Sequence, residues 1–198
     1  EAAVEKVNDA ELPFLKGIEV LPLAESTATI SESEKASQVL AAAVTEARNY
    51  IASKSIEVKK LFVGEKSKPM VDELAQFTAK INAASTKLTQ FRKDTEARKK
   101  TAQLQEAGEK ITAAEEGVAK AVEEAAPLAG EEAAAWTAEE AVVACQKVGA
   151  TVKSAQDLLD SVRILMVARQ KDAQGVASLT ETIKKLQARI STANLSLV

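Results

Sequence analysis

Residues 71–125, VDELAQFTAKINAASTKLTQFRKDTEARKKTAQLQEAGEKITAAEEGVAKAVEEA, decide how this chain folds. Over roughly 55 positions no proline occurs, and only Gly108 and Gly117 weaken a helical pattern. At about 1.5 Å of rise per residue such a helix is on the order of 80 Å long, more than one compact core covers. The pattern therefore predicts an elongated all-α protein with one continuous helix over about 70–126.

The apolar positions inside that helix change register. Leu74, Phe77, Ile81, Ala84, Leu88 and Phe91 alternate three and four apart, whereas beyond Arg98 the set becomes Leu104, Ile111, Val118, Val122 and Ala125. The second set is one residue out of step with the first, and one residue is about 100° of rotation. The buried face accordingly turns within residues 95–103, so the two halves are expected to pack on different neighbours.

Working outward, the start of the chain explains the second half of the helix. Val4, Val7, Glu11, Phe14, Ile18 and Leu21 form a helical seam, with Pro13 expected to kink or restart it and Pro22 to stop it. Glu5-Lys6-Val7 through Pro22-Leu23-Ala24 then recurs as Glu109-Lys110-Ile111 through Pro127-Leu128-Ala129, about 104 residues later with one inserted position. Glu115 stands where Glu11 does, and Gly117 where Pro13 does. The recurrence predicts two helical repeat units, 1–100 and 101–198, joined through the long helix.

The other helices follow the same logic. Thr29-Ile30-Ser31-Glu32 fits a capping box, opening a helix to about Phe62 with Leu40, Val44, Ala47, Ile51, Val58 and Leu61 on its seam. Gly64 and Ser67 supply turn chemistry, and Pro69 suits the first turn of the long helix. Gly130 with Glu131 and Glu132 reads as the next helix start, leading to a seam of Ala141, Cys145, Val148, Val152, Ala155, Leu159, Val162 and Met166. A turn at Lys171–Gly175 precedes a final helix carrying Val176, Leu179, Ile183, Leu186, Ile190, Ala193 and Leu197, a single helix over 131–198 being the alternative.

Composition narrows the function. The chain is 46% hydrophobic and 28% charged but only 3% aromatic, the profile of long helices packed through small side chains. A net charge of -3 gives no basis for a nucleic-acid footprint. No run approaches the 18 or so apolar residues of a membrane span. The absence of histidine removes the commonest general base and most transition-metal ligand sets, and a lone Cys145 excludes an internal disulfide. A non-enzymatic protein is the expectation, with no catalytic residues, cofactor or metal.

Three helices per unit, a period near 105 and a last helix flowing into the next unit resemble a spectrin-type repeat array. The Ala- and Thr-rich, aromatic-poor seams are similar, more distantly, to the rod bundles of talin and vinculin relatives. The resemblance implies a structural or scaffold segment of a larger cytoskeletal or filament-associated protein. Its partners would be other proteins, in a filament or large assembly, or further copies of its own repeat, in a cytoplasmic or cytoskeletal setting. The alternative is a non-catalytic assembly subunit, docked on a large complex or packed in a paracrystalline matrix.

Candidate interaction residues are few. Arg92, Lys93, Arg98, Lys99 and Lys100 gather five cations where the register changes, either a docking patch for an acidic partner or a solvated helix face. Trp136 reads as a core anchor or an exposed contact residue. Cys145 reads as a small buried hydrophobe on its seam. The pairs Glu115-Glu116, Glu123-Glu124, Glu131-Glu132 and Glu139-Glu140 read as surface solubility. The seam carboxylates Glu11 and Glu115 either pair with Lys or Arg or mark points where the bundle opens to water, and the second is expected, since Pro13 and Gly117 lie two residues on.

Overall fold

The computed structural model describes residues 1–16, 21–62, 67–173 and 176–197. Among them every regular element is helical: α1 (Ala2–Lys16), α2 (Leu23–Leu61), α3 (Lys68–Ala129), a 3-10 helix (Glu131–Ala135), α4 (Ala138–Asp172) and α5 (Ala177–Leu197). Helix α3, at 62 residues, is the long helix of the sequence, and Pro69 sits in its first turn where a missing N–H costs nothing. Gly64, like Ile18, lies outside the described residues. The chain divides into two compact units, Glu1–Lys99 and Lys100–Val198, so that α3 contributes to both.

In the first unit, Val7 of α1, Ala36, Leu40 and Val44 of α2, and Leu88 and Phe91 of α3 form one buried cluster. Helix α1 runs parallel to α3, as the Glu1–Lys80, Asn8–Lys87 and Glu11–Arg98 contacts advance together along both helices. Ser33 is fully buried between α1 and α2, its hydroxyl donating to the Ala10 carbonyl at 3.4 Å. A small side chain there lets the two backbones approach.

Within the described residues α1 (15 residues) faces only part of α2 (39 residues). Past Val44 the expected seam thins: Ile51 and Val58 are half-buried, and Leu61 is 73% exposed. On α3 the same happens to Leu74, half-buried, and Phe77, exposed. Among the described residues no third helix covers this stretch of α2 and α3, and two helices cannot enclose a seam that three can.

In the second unit, Leu104, Ala107, Ile111, Ala114 and Val118 of α3 pack with Ala155, Leu159, Val162 and Met166 of α4 and Ile183, Leu186, Ile190 and Ala193 of α5. The buried stripe of α3 passes from Leu88, Phe91 and Thr95 to this new set, with Ala102 and Leu104 both buried although only two residues apart. Ala121 is buried in place of the expected Val122, which is 47% exposed. Cys145 is likewise exposed rather than buried. Near the end of α5, Thr192, Ala193 and Ser196 border the same concavity as Val118 and Val122 of α3.

Several local expectations are corrected. Helix α1 continues through Pro13 to Lys16 without restarting. Helix α2 begins at Leu23, not near Thr29, with Pro22 as its N-cap at φ -51 and ψ 144. Pro22 pre-sets the chain for helix entry without any side-chain cap, leaving Thr29 and Glu32 two turns inside. Pro127, its counterpart in the recurrence, lies inside the last turn of α3 instead. After Gly130 the chain makes the 3-10 helix, and α4 starts only at Ala138. There Thr137 and Glu140 form a capping box: the Thr137 hydroxyl accepts from the Glu140 N–H, and the Glu140 carboxylate accepts from the Thr137 N–H at 2.8 Å. The turn between α4 and α5 falls where the seam slips, after Asp172, and excludes a single helix; Gln174 and Gly175 lie outside the described residues.

Candidate interaction surface

The basic run of α3 is not one patch. Arg92 and Lys93 are exposed. Arg98 is turned inward: its side chain is 22% exposed, its Nη2 lies 3.7 Å from Glu11, and its guanidinium sits 4.4 Å from the centre of the Phe14 ring. A guanidinium over an aromatic face is attracted by the ring's electron density and keeps its apolar stem buried. Lys99 reaches Glu34 of α2 at 2.6 Å, and that hydrogen bond holds its ammonium above the ordinary lysine range. Lys100, half-buried, belongs to the second unit, beside Gln103, Leu104 and Arg169. Two of the five cations therefore hold the first unit together, which leaves Arg92 and Lys93 as its exposed pair in this run.

Trp136 follows the 3-10 helix, half-buried, its N–H donating to the Ala133 carbonyl at 3.3 Å. Its position next to Thr137 makes it part of the entry into α4. It lies in the second unit, whereas Arg92, Lys93, Arg98 and Lys99 lie in the first.

The seam carboxylates do not open the bundle to water. Glu11 pairs with Arg98, and Glu115 accepts a two-pronged bond from Arg189 of α5, Nε to Oε1 at 2.9 Å and Nη2 to Oε2 at 2.6 Å. The same Arg189 Nη2 donates to Thr112 at 2.9 Å. The fork geometry suits a carboxylate, and the hydrogen bonds hold the Glu115 carboxyl below its ordinary range against the opposing effect of burial. Pairing, the less favoured alternative, is what the structure has, because an extended Arg spans the distance to a neighbouring helix. Each Arg lies on the inward edge of its helix, Arg98 seven residues after Phe91 and Arg189 three after Leu186.

Other acidic pairs also do more than solubilise. Glu124 accepts from the Thr151 hydroxyl at 2.6 Å and lies 3.3 Å from Lys147, tying α3 to α4, while Glu140 caps α4. Each of these carboxyls is held below its ordinary range, Glu124 chiefly by Thr151 and Glu140 chiefly by the Thr137 N–H. Among the described residues no group of three or more acidic or cysteine side chains is placed to hold a metal ion. None of the described helices is long and apolar enough to cross a membrane.

One concavity was not anticipated from the sequence. It is an open groove of about 790 Å³ in the first unit, between the first turn of α1 and the facing stretches of α2 and α3. Leu40, Val44, Ala47 and Ile51 form one wall and Phe77, Ile81 and Ala84 the other, with Tyr50 at 62% exposure on the rim. No protein-family model, curated protein or solved structure matches this chain.

Proposed function

We propose that this chain is a structural or scaffold segment made of two tandem three-helix units that share α3, in the manner of a spectrin-type array. The observation that carries the reading is α3 itself, one helix that supplies Leu88 and Phe91 to one core and Leu104, Ile111 and Val118 to the other. Support comes also from the recurrence: Glu11 and Glu115, about 104 residues apart, each pair with an arginine on the helix that runs parallel to their own. A helix common to two cores passes the unfolding of one unit to the other, which is what a load-bearing spacer needs.

The work of such a segment is mechanical and non-enzymatic, in a larger cytoskeletal or filament-associated protein, with other proteins or further copies of the repeat as partners. The groove in the first unit favours a second reading, an assembly subunit docked on a large complex, because it offers an apolar surface to a partner. Pulling the chain from its two ends separates these roles. A spacer whose two cores share α3 unfolds in one cooperative step that releases about 700 Å of chain, and refolds on relaxation. Two independent steps, or a collapse that does not recover, is the result against it.

A further inference from the structure

We propose that the second unit has a built site for one water molecule, between the C-terminal end of α4 and the stretch of α3 around Gln103, with the Nε–H of Arg169 as its anchor. The site lies wholly within the second unit and stands whether or not the two units are repeats.

The guanidinium of Arg169 supplies the first reason. Its side chain is 19% exposed, and its Nη1 donates to Asp172 Oδ2 at 3.0 Å. Its Nε, by contrast, is buried, and no acceptor from the protein lies within hydrogen-bond reach of it. A buried donor on a charged group is costly to leave without an acceptor, and such groups in folded proteins are met by protein or by ordered water.

The second reason is a pocket of about 10 Å³ that Arg169 borders together with Lys100 and Gln103 of α3 and Asp172 of α4. That volume is about one water-sized sphere. Leu104 and Leu179 complete its wall with apolar surface. Among the polar groups that border it, Arg169 and Lys100 only donate, the Asp172 carboxylate only accepts, and the Gln103 amide does either. Water answers both kinds at once: it accepts from the Arg169 Nε–H and donates to Asp172 and Gln103, three partners in all, the usual number for a buried water. A halide accepts from the same cations, but it meets the Asp172 carboxylate with like charge and needs more room than one water.

The place of the site gives it a role. Arg169 and Asp172 stand in the last turn of α4, where the Ala173 N–H donates to the Arg169 carbonyl at 3.1 Å and the Val176 N–H to the Ala173 carbonyl at 3.1 Å. Lys100 and Gln103 stand where α3 enters the second core, next to Leu104. A water bonded to both helices pins the end of α4 to α3.

The test follows the Arg169 Nε–H of the nitrogen-15-labelled chain in paired laboratory-frame and rotating-frame Overhauser spectra against water. Arg169→Lys, which has no Nε–H, identifies the resonance by its loss. A water cross-peak whose sign marks a residence longer than the ps–ns motion of exposed side chains is expected, with the exposed Arg163 as the fast-exchanging reference. Gln103→Leu removes an acceptor and is expected to weaken that cross-peak several-fold, while Gln105→Leu leaves it unchanged; constant Ile183 and Leu186 amide shifts show that each variant is folded. An Arg169 signal that behaves like that of Arg163, or a cross-peak undiminished in Gln103→Leu, overturns the proposal. A saturable shift of the Arg169 Nε–H with sodium chloride but not with sodium gluconate overturns it too, giving the site to a halide.

Discussion

Arg189 meets Glu115 with two nitrogens, yet both side chains keep more than a third of their surface in water. Solvent screening holds such a pair to about 0.5–1 kcal/mol despite its good geometry. The sign of its pH dependence follows from the lowered carboxyl value. Its contribution is fully present above the ordinary glutamate range, about 4.3, and is lost as pH falls through the folded-state value. Glu115→Gln is therefore expected to lower stability by about that amount at pH 7 and by progressively less on acidification, measured by urea unfolding across pH. A loss that stays constant to pH 2 or so contradicts the assignment. Seam spacing identified Glu11 and Glu115 as inward-facing. What it did not supply was the partner, because an arginine's reach to another helix has no periodic signature in its own.

At the scale of elements, T-x-x-E occurs at Thr29–Glu32, at Thr112–Glu115 in the middle of α3 and at Thr137–Glu140, and only the last caps a helix. Pro22 explains the difference. Its fixed φ starts α2 two turns before Thr29, so the first motif is absorbed as ordinary helix, whereas the residues before Thr137 form a 3-10 helix that stops short of it. Thr137→Ala is expected to cost the second unit about 1 kcal/mol, and Thr29→Ala under about 0.5 kcal/mol, by chemical denaturation of each variant. Equal costs contradict this account of the two motifs. Helix existence was legible throughout, since prolines are few and seams long. Burial along the seams was less so. Cys145, Leu61 and Phe77 have seam spacing, but spacing identifies the face that turns inward without saying whether a third helix reaches far enough to cover it.

At the scale of the whole molecule, the claim is that α3 makes two cores interdependent. Five of the fourteen residues in the second cluster are alanines: Ala107, Ala114, Ala155, Ala173 and Ala193. Each buries far less apolar surface than leucine, at about 0.8 kcal/mol per methylene forgone, so such a core gains little stability from each of them. The register change within α3 was visible in the sequence because the last apolar residues of one seam and the first of the next cannot share a face. The break in α3 that would uncouple the cores belongs where neither is entered. Ala102 is 6% exposed and packs in the second unit, but Glu96 is exposed, so Glu96→Pro interrupts the helix without cutting into a cluster. Calorimetric unfolding of the parent chain and of Glu96→Pro puts the claim to its most direct test. One transition in the parent and two, the lower displaced downward, in the variant is the predicted result; two transitions already present in the parent and unmoved by Glu96→Pro would contradict it.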